Sequence, residues 1–544
     1  MAERLASTHP IQRNPSMTSY DDTPYPLVAH SQTHPARLAT LALLHGVKPA
    51  PVERCRVLEI GCARGGNIIP MACELSDSEF VGIDASSRQI AEGRDFIQAL
   101  GLKNIRLESL DLLDFDEWFG AFDYIIAHGL YSWAPQAVRD KLFDVCQRNL
   151  TAAGVAFINF NAYPGWKNLS MVRDLMLYRT RQAGDPLAKA RQARELLDAV
   201  VQSMSAATLA WDDTGDAHVF FYKSVADRVK KYDLSYVVHE FFEGINSPVY
   251  FYEFVDQARR YGLQYLADIN FRNALDVNLP PDVVRLVDSL TRDRVEREQY
   301  VDFLSNRSFR QVLLCRADLP INFAMNSELL RTLWFASPAS PETESPAGAP
   351  TAQTFAGVDG ARHSTDHPVT QAAWLHLIDI WPQSATFDEL LAQAYVRLNA
   401  APPEAEAAQA DAQILADNLV KAFLTSPRLV EATVYPLGVR RQISERPVAS
   451  AWARLQAQQS TTITTLRHER YSLNTLEQFV LQQLDGSYTP DMIVDRLMAG
   501  PFARSQIEVP DGEPLTDPTQ IRSMHSQAVD ETLHTFACLP LLVA

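Results

Sequence analysis

Between Cys55 and Asn161 the chain alternates short apolar runs with longer amphipathic stretches. The runs are RVLEI (56–60), FVGID (80–84), NIRLESL (104–110), FDYIIA (122–127) and VAFINFN (155–161). Strands separated by helix-length segments predict a parallel sheet with helices on its faces. Ser86 followed by Gln89 predicts a capped helix start after the second strand. Residues 168–245 change character: KNLSMVRDLMLYRTRQA, ARELLDAVVQSM and KSVADRVKKYDLSYVVHEFF carry the 3.6-residue periodicity of helices. The strand pattern then returns after Gly262 and again in FRQVLLCRA (309–317). The reading is a single sheet over residues 20–335, with 168–245 inserted as a helical or regulatory segment after the fifth strand.

The flanking regions differ. Residues 1–19 are polar and patternless, an expected flexible arm. Residues 336–364 include SPASPETESPAGAP, a composition that predicts a linker. Residues 365–544 form an expected mainly helical C-terminal domain that repeats itself. TFDELL (386–391) matches TPDMIV (489–494), and DNLVKAFLTSPRLV (417–430) matches DETLHTFACLPLLV (530–543). Two similar helical units, with a β-wing, are the expectation. A structural or dimerising role is the plain reading of such a region, and the second unit resembles winged-helix modules that recognise peptides. The overall fold class is therefore α/β: a Rossmann-like sheet with a helical insertion, then a winged-helix-like, duplicated C-terminal region.

Composition narrows the function. At 544 residues the chain exceeds one core. Its formal charge of -17 disfavours phosphate backbones, so no nucleic-acid partner is expected. No apolar stretch is long enough to span a bilayer and the first twenty residues lack a signal-peptide core, so a cytoplasmic protein without a membrane partner is expected. The six cysteines have no C-x-x-C spacing, and His239 to Glu243 reads H-E-x-x-E rather than the H-E-x-x-H zinc motif; no metal site is expected.

The sharpest chemical signal is VLEIGCARGGN (57–67), a strand followed by Gly61, Gly65 and Gly66 and then a helix. Glycines there tighten the turn and let a ligand approach bare backbone. Asp84 ends the second strand, where a carboxylate can accept both ribose hydroxyls. NAD binding competes, but G-C-A-R-G-G lacks the G-x-G-x-x-G spacing. The E-x-G-x-x-x-G pattern resembles motif one of the class I methyltransferases, with Ala63 in place of their middle glycine. That resemblance implies S-adenosylmethionine as cofactor. Gly61, Cys62 and Gly65 would lie along its methionine and ribose, Glu59 would order the site, and Asp111 with Leu112 would read the adenine.

Ligands in such sheets bind at the carboxyl ends of the strands. The fourth strand ends in AHGLYSWAP and the fifth in NFNAYPGW, offering His128, Tyr131, Trp133, Asn161, Tyr163 and Trp166; upstream lie Tyr20, Tyr25, His30 and His34. Methyl transfer needs alignment and exclusion of water, and aromatic faces attract sulfonium and ammonium groups. His128 and Tyr131 are the first candidates for substrate or cofactor contact, then Tyr20, with Trp133, Tyr163 and Trp166 completing the set. Asn161-Ala162-Tyr163-Pro164 follows the wrong strand, and lacks the second proline, for the N-P-P-Y motif of base methyltransferases.

Several blocks together are similar to one bacterial family, methyltransferases with a methyltransferase regulatory domain: YDDTPYP, QTHPARLATLALLHG, VLEIGCARGGNIIPMA, AHGLYSWAP, NAYPGW and YVVHEFFEGINSPVYFYEFV. The family includes rickettsial enzymes that methylate lysines of outer-membrane proteins. The resemblance implies a protein or peptide substrate and a lysine amine as acceptor. A small-molecule methyltransferase, with the C-terminal region serving homodimerisation, is the alternative enzyme. A cofactor-binding sensor or assembly protein is the non-enzymatic one.

Overall fold

The computed structural model describes residues 27–206, 214–269, 279–323, 327–342, 352–401, 403–500 and 517–543. The arm at 1–19 and Tyr20 lie outside them. Strands β1 (Arg56–Ile60), β2 (Glu79–Asp84), β3 (Ile105–Ser109), β4 (Phe122–Ala127) and β5 (Leu150–Asn161) follow the apolar runs, and β6 (Leu263–Asp268) and β7 (Phe309–Arg316) complete the sheet. Their order is β3-β2-β1-β4-β5-β7-β6, with β7 antiparallel to both neighbours. β1 lies between β2 and β4, and Val57, Leu58 and Ile60 are buried because helices cover both faces.

Helices α1 (Pro35–Leu44), α2 (Ile68–Glu74), α3 (Ser87–Leu100) and α4 (Gln136–Asn149) flank this half of the sheet. The Ser86 side chain accepts a bond from the Gln89 backbone N–H and opens α3, as its sequence predicts. α5 (Gly165–Thr180), α6 (Pro186–Ala206), α7 (Thr214–Lys231) and α8 (Leu234–Phe241) form the insertion. It has its own core, in which Trp166, Val172 and Met176 meet Leu197, Val225 and Phe241. His239, buried at its edge, shares a 2.9 Å hydrogen bond with Glu243, a packing role.

α9 (Phe251–Arg260), α10 (Pro281–Leu290) and α11 (Arg294–Ser305) return the chain to the sheet. Here a charge cluster is buried. Arg310 on β7, fully enclosed, reaches Asp302 at 2.7 Å, Glu298 at 3.0 Å and Asp268 at 3.2 Å, and its guanidinium stacks over Phe251. Arg307 adds a 3.0 Å bond to Asp302. Three acids share these cations, so none is left unpaired in a low-dielectric site.

The C-terminal region corrects two expectations. The composition of 336–364 predicts a linker, but residues Gln353–Ala356 and Arg362–Thr365 pair as an antiparallel hairpin. The reason is Phe355, fully buried with its ring stacked 5.0 Å from Trp374. Nor does the first helical unit stand apart. Leu38, Leu41 and Leu44 of α1 share one continuous core with Phe387, Leu415 and Phe423. Thr40 Oγ1 accepts the Val434 N–H at 3.1 Å. Duplication is visible in the element order. The hairpin 353–365 precedes helices Pro368–Ile380, Phe387–Arg397 and Ala405–Thr425. A second hairpin, Thr462–Thr464 with Arg470–Ser472, precedes Thr475–Gln483, Pro490–Ala499 and Pro518–Cys538. The third helix has 21 residues in both units.

The second hairpin docks on the catalytic half. Its His468 lies 3.7 Å from Glu74, which His34 approaches to 3.5 Å. Although metal-ligating residue types meet here, His34 Nδ1 accepts the Ala36 N–H, so the proton of the neutral ring sits on Nε2 and points to Glu74. The trio is a buried contact between units in which the Glu74 carboxylate lies between two imidazoles.

Replacing Arg310 by Met should remove the central cation from three buried carboxylates, leaving Arg307 beside Asp302, and cost about 3–5 kcal/mol. A urea melt of the variant checks this; a loss below about 1 kcal/mol would show that the cluster is dispensable.

Candidate active site

The sheet changes direction between β1 and β4, and the candidate residues gather at that crevice. After Ile60 the backbone turns at Gly61, whose φ of +78 favours glycine, and a Cβ placed there would meet nothing within 4 Å. The open side of this turn faces space that a ligand can occupy. The turn is pinned from behind: Gly61 N–H and Cys62 N–H both donate to Ile83 O, at 2.9 and 3.1 Å. Gly93 of α3 lets the loop seat closely, since a Cβ there would stand 2.8 Å from Arg64 O. Gly65 closes the loop and its carbonyl begins α2 by accepting from Ile69 N–H.

Asp84 ties this turn to β2. Its Oδ2 accepts from Ala63 N–H at 2.9 Å and its Oδ1 from Ser86 N–H at 2.8 Å. The Asp84 carbonyl accepts from Leu110 N–H, which places the segment after β3 alongside. There Asp111 is exposed and caps Leu113 N–H, while Leu112 is buried.

Glu59 is buried beneath the turn. Its Oε1 accepts from Asn67 Nδ2 at 2.7 Å, whereas Oε2 has no partner among the described residues. Burial raises its carboxyl to about 8, against the opposing Asn67 bond. Asn67 also accepts from His30 N–H at 2.8 Å. The His30 ring stacks on His128 at 3.7 Å, and His128 in turn on Phe157 at 6.0 Å. Burial pulls His30 down to about 4 and His128 well below its usual range, so the pair is neutral at physiological pH. Gly129 N–H donates to Asn159 Oδ1 at 2.7 Å and fixes the loop that carries His128.

The crevice thus unites Glu59, Gly61, Cys62, Gly65, Asp84 and His128, with Asp111 and Leu112 beside it. The aromatic candidates scatter. Tyr131, 1% exposed, packs against Phe143, Phe160 and Phe254, and its hydroxyl donates to Gln257 at 2.6 Å. Its burial satisfies it as a core residue, which removes the expected substrate contact. Trp166, also 1% exposed, belongs to the insertion core. Trp133 is half-buried in the single turn Tyr131–Trp133. Tyr163 lies beyond the end of β5, its ring 5.3 Å from Tyr250. Asn161 is buried and bonded to Asn246, a structural link to the 244–249 loop. His30, one of the upstream candidates, joins the crevice by stacking on His128, whereas Asn67 and Asn159 had no role in the sequence reading; the place of Asn67 at the helix start was the one hint.

The donor set fits a nucleoside linked to a cation. An open glycine turn, a strand-end carboxylate and a buried acid with an oxygen that has no partner among the described residues stand together.

Comparison with known proteins agrees. Residues 57–154 match the family described as "Methyltransferase domain", 233–316 the "Predicted methyltransferase regulatory domain", and 445–541 the "PKMT, C-terminal winged helix domain". The uncharacterized protein RP789 of Rickettsia prowazekii (strain Madrid E) is 32% identical over 533 residues, covering 96% of this chain and 93% of that one. RP028 of the same organism is 35% identical over 242 residues, covering 44% of this chain and 94% of that one. The structure of PKMT2 from Rickettsia typhi matches at a TM-score of 0.84 and 27% identity over 96% of this chain and 100% of that chain. PKMT2 in complex with AdoHcy matches at 0.82 and 28% with the same coverage. The chain belongs to this family: it is an S-adenosylmethionine-dependent methyltransferase carrying a regulatory domain and a C-terminal winged-helix domain.

Proposed function

We propose that this methyltransferase modifies the side-chain amine of a protein lysine. The observation that carries the reading is the match to PKMT2, a rickettsial protein lysine methyltransferase by name, which extends through the winged-helix region rather than stopping at the sheet. The acidic charge of the chain supports it, since a lysine-bearing segment is drawn to such a surface.

In this reading Gly61, Cys62 and Gly65 cradle the methionine and ribose parts of the cofactor. Asp84 accepts the ribose hydroxyls, and Asp111 and Leu112 read the adenine. Bound there, S-adenosylmethionine supplies an electrophilic methyl group on a sulfonium. The protein's own task is alignment, exclusion of water and handling of one proton. The attacking amine must be neutral, and the buried imidazoles of His30 and His128, held neutral, place no competing cation beside it. Trp133 remains a candidate for the rim, and Tyr131 and Trp166 act through packing.

Asp84→Ala should weaken S-adenosylhomocysteine binding by about ten- to a hundredfold, the worth of one or two hydrogen bonds to a charged acceptor. Titration calorimetry checks it, and unchanged affinity would remove Asp84 from the site. Glu59 gives a second test with a defined sign. Its raised pKa, about 8, keeps it protonated at neutral pH, and a nearby cation favours the ionised form. Cofactor binding should therefore release a proton from Glu59, so the measured heat should vary with the ionisation enthalpy of the buffer, and Glu59→Gln should abolish that variation. Identical heats in all buffers would refute it. For the acceptor, incubation with methyl-labelled cofactor and a bacterial lysate should label proteins at lysine by mass spectrometry; label confined to metabolites or to other residues would sink the lysine reading.

A further inference from the structure

At the rim beyond β5 an ammonium group already rests on aromatic rings. Lys167 Nζ stands 5.5 Å from the centroid of Tyr163 and 5.3 Å from that of Tyr250, and the two rings are 5.3 Å apart at 50°. Such distances are those of a cation–π contact. The side chain of Lys167 is not there for its helix. It lies in the first turn of α5, where the helix dipole repels a cation. The groups that act on its charge are the two tyrosines. Lys167 is exposed and the rings are half-buried, so the ammonium can leave without opening a core.

The surface continues outward from this pair. Tyr252 stacks 5.7 Å from Tyr250 and Phe303 lies 5.6 Å from it, and they are 42% and 48% exposed. Tyr252 and Glu253 also line an open cleft of about 820 Å³ with Asp140, Asp256 and Arg260, three carboxylates against one cation. The position is the carboxyl edge of the sheet: Tyr163 follows the end of β5 by two residues, and β5 pairs with β4, which carries His128 at its end. Exposed aromatic faces beside an acidic cleft suit an extended, lysine-bearing polypeptide, with the rings for an ammonium and the cleft for the charge around it.

We propose that the Tyr163–Tyr250 pair is a seat for a lysine ammonium of the polypeptide acceptor, and that Lys167 occupies it as an internal placeholder that the acceptor displaces. This rests on the lysine reading above. A placeholder held by an exposed cation–π contact taxes any competitor by about two- to fivefold in affinity. Removing it therefore tightens binding of a cationic chain, but only while the rings are present.

The test uses the full chain with S-adenosylhomocysteine bound, a synthetic peptide of alternating alanine and lysine, and a matched peptide with norleucine replacing lysine. Fluorescence anisotropy should show preference for the lysine peptide. Lys167→Met should tighten that peptide by about two- to fivefold and leave the norleucine peptide unchanged. Tyr250→Leu should weaken the lysine peptide, and Lys167→Met should then add nothing. Affinity for S-adenosylhomocysteine reports that each variant is folded. If Lys167→Met tightens the peptide equally in both backgrounds, the gain is bulk charge and the seat is refuted; no response to Lys167 or Tyr250 refutes it as well. Methyl incorporation into the same peptide, read by mass spectrometry, separates the two ideas. Incorporation without any response to Lys167 overturns the seat and leaves the lysine reading intact. A response without incorporation supports the seat as a lysine-binding site and counts against lysine as the acceptor.

Discussion

The site depends on the way Asp84 and the backbone of β2 hold the glycine turn. Two N–H groups of the turn are spent on Ile83 O, and one more on the Asp84 carboxylate. The bare face of Gly61 is thereby fixed outward at the point where the sheet reverses its strand order. A turn held by its own neighbours costs little reorganisation when a ligand arrives, which is the basis of preorganised binding. The same carboxylate anchors the start of α3 through Ser86, so the loop, the strand end and the helix move as one piece.

Around this fixed corner the molecule is assembled from parts with separate cores and one shared seam. The insertion and the second C-terminal unit each bury their own apolar residues. The first C-terminal unit does not, and shares its core with α1 and the sheet. The second hairpin then reaches back to His34 and Glu74. His34 caps α1 only four residues after His30, whose ring stacks against His128 in the crevice. The winged-helix unit is in this way connected to the catalytic corner through one short N-terminal segment. Two unlike aromatic environments meet at the carboxyl edge: Tyr131 inside, satisfied by Gln257, and Tyr163 outside, facing a cation.

Much of the fold was legible in the sequence, because local periodicity and turn chemistry act over a few residues. The apolar runs at 56–60, 80–84 and 122–127 could be placed from their pattern, and the glycine turn and Asp84 from their spacing. Thr386 and Thr489 were likewise legible as helix openers, since both side chains accept from a backbone N–H three residues on. What the sequence could not convey was which aromatic residues near a strand end turn inward. Tyr131 and Tyr163 look alike in the chain. The first is enclosed by Phe143, Phe160 and Phe254, which come from three other elements.

By itself, then, the chain of residues determined the strand and helix alternation and the glycine turn after the first strand, which depend on neighbours close in sequence, while its motifs carried the resemblance that implied methyl transfer. Only the tertiary structure decided that Phe355 would anchor a hairpin at 353–365, that α1 would weld the first C-terminal unit to the sheet, and that His30 would stack on His128. These outcomes depend on side chains separated by tens to hundreds of residues finding one another, and burial, which rewards whichever surfaces meet, has no signature in a local pattern.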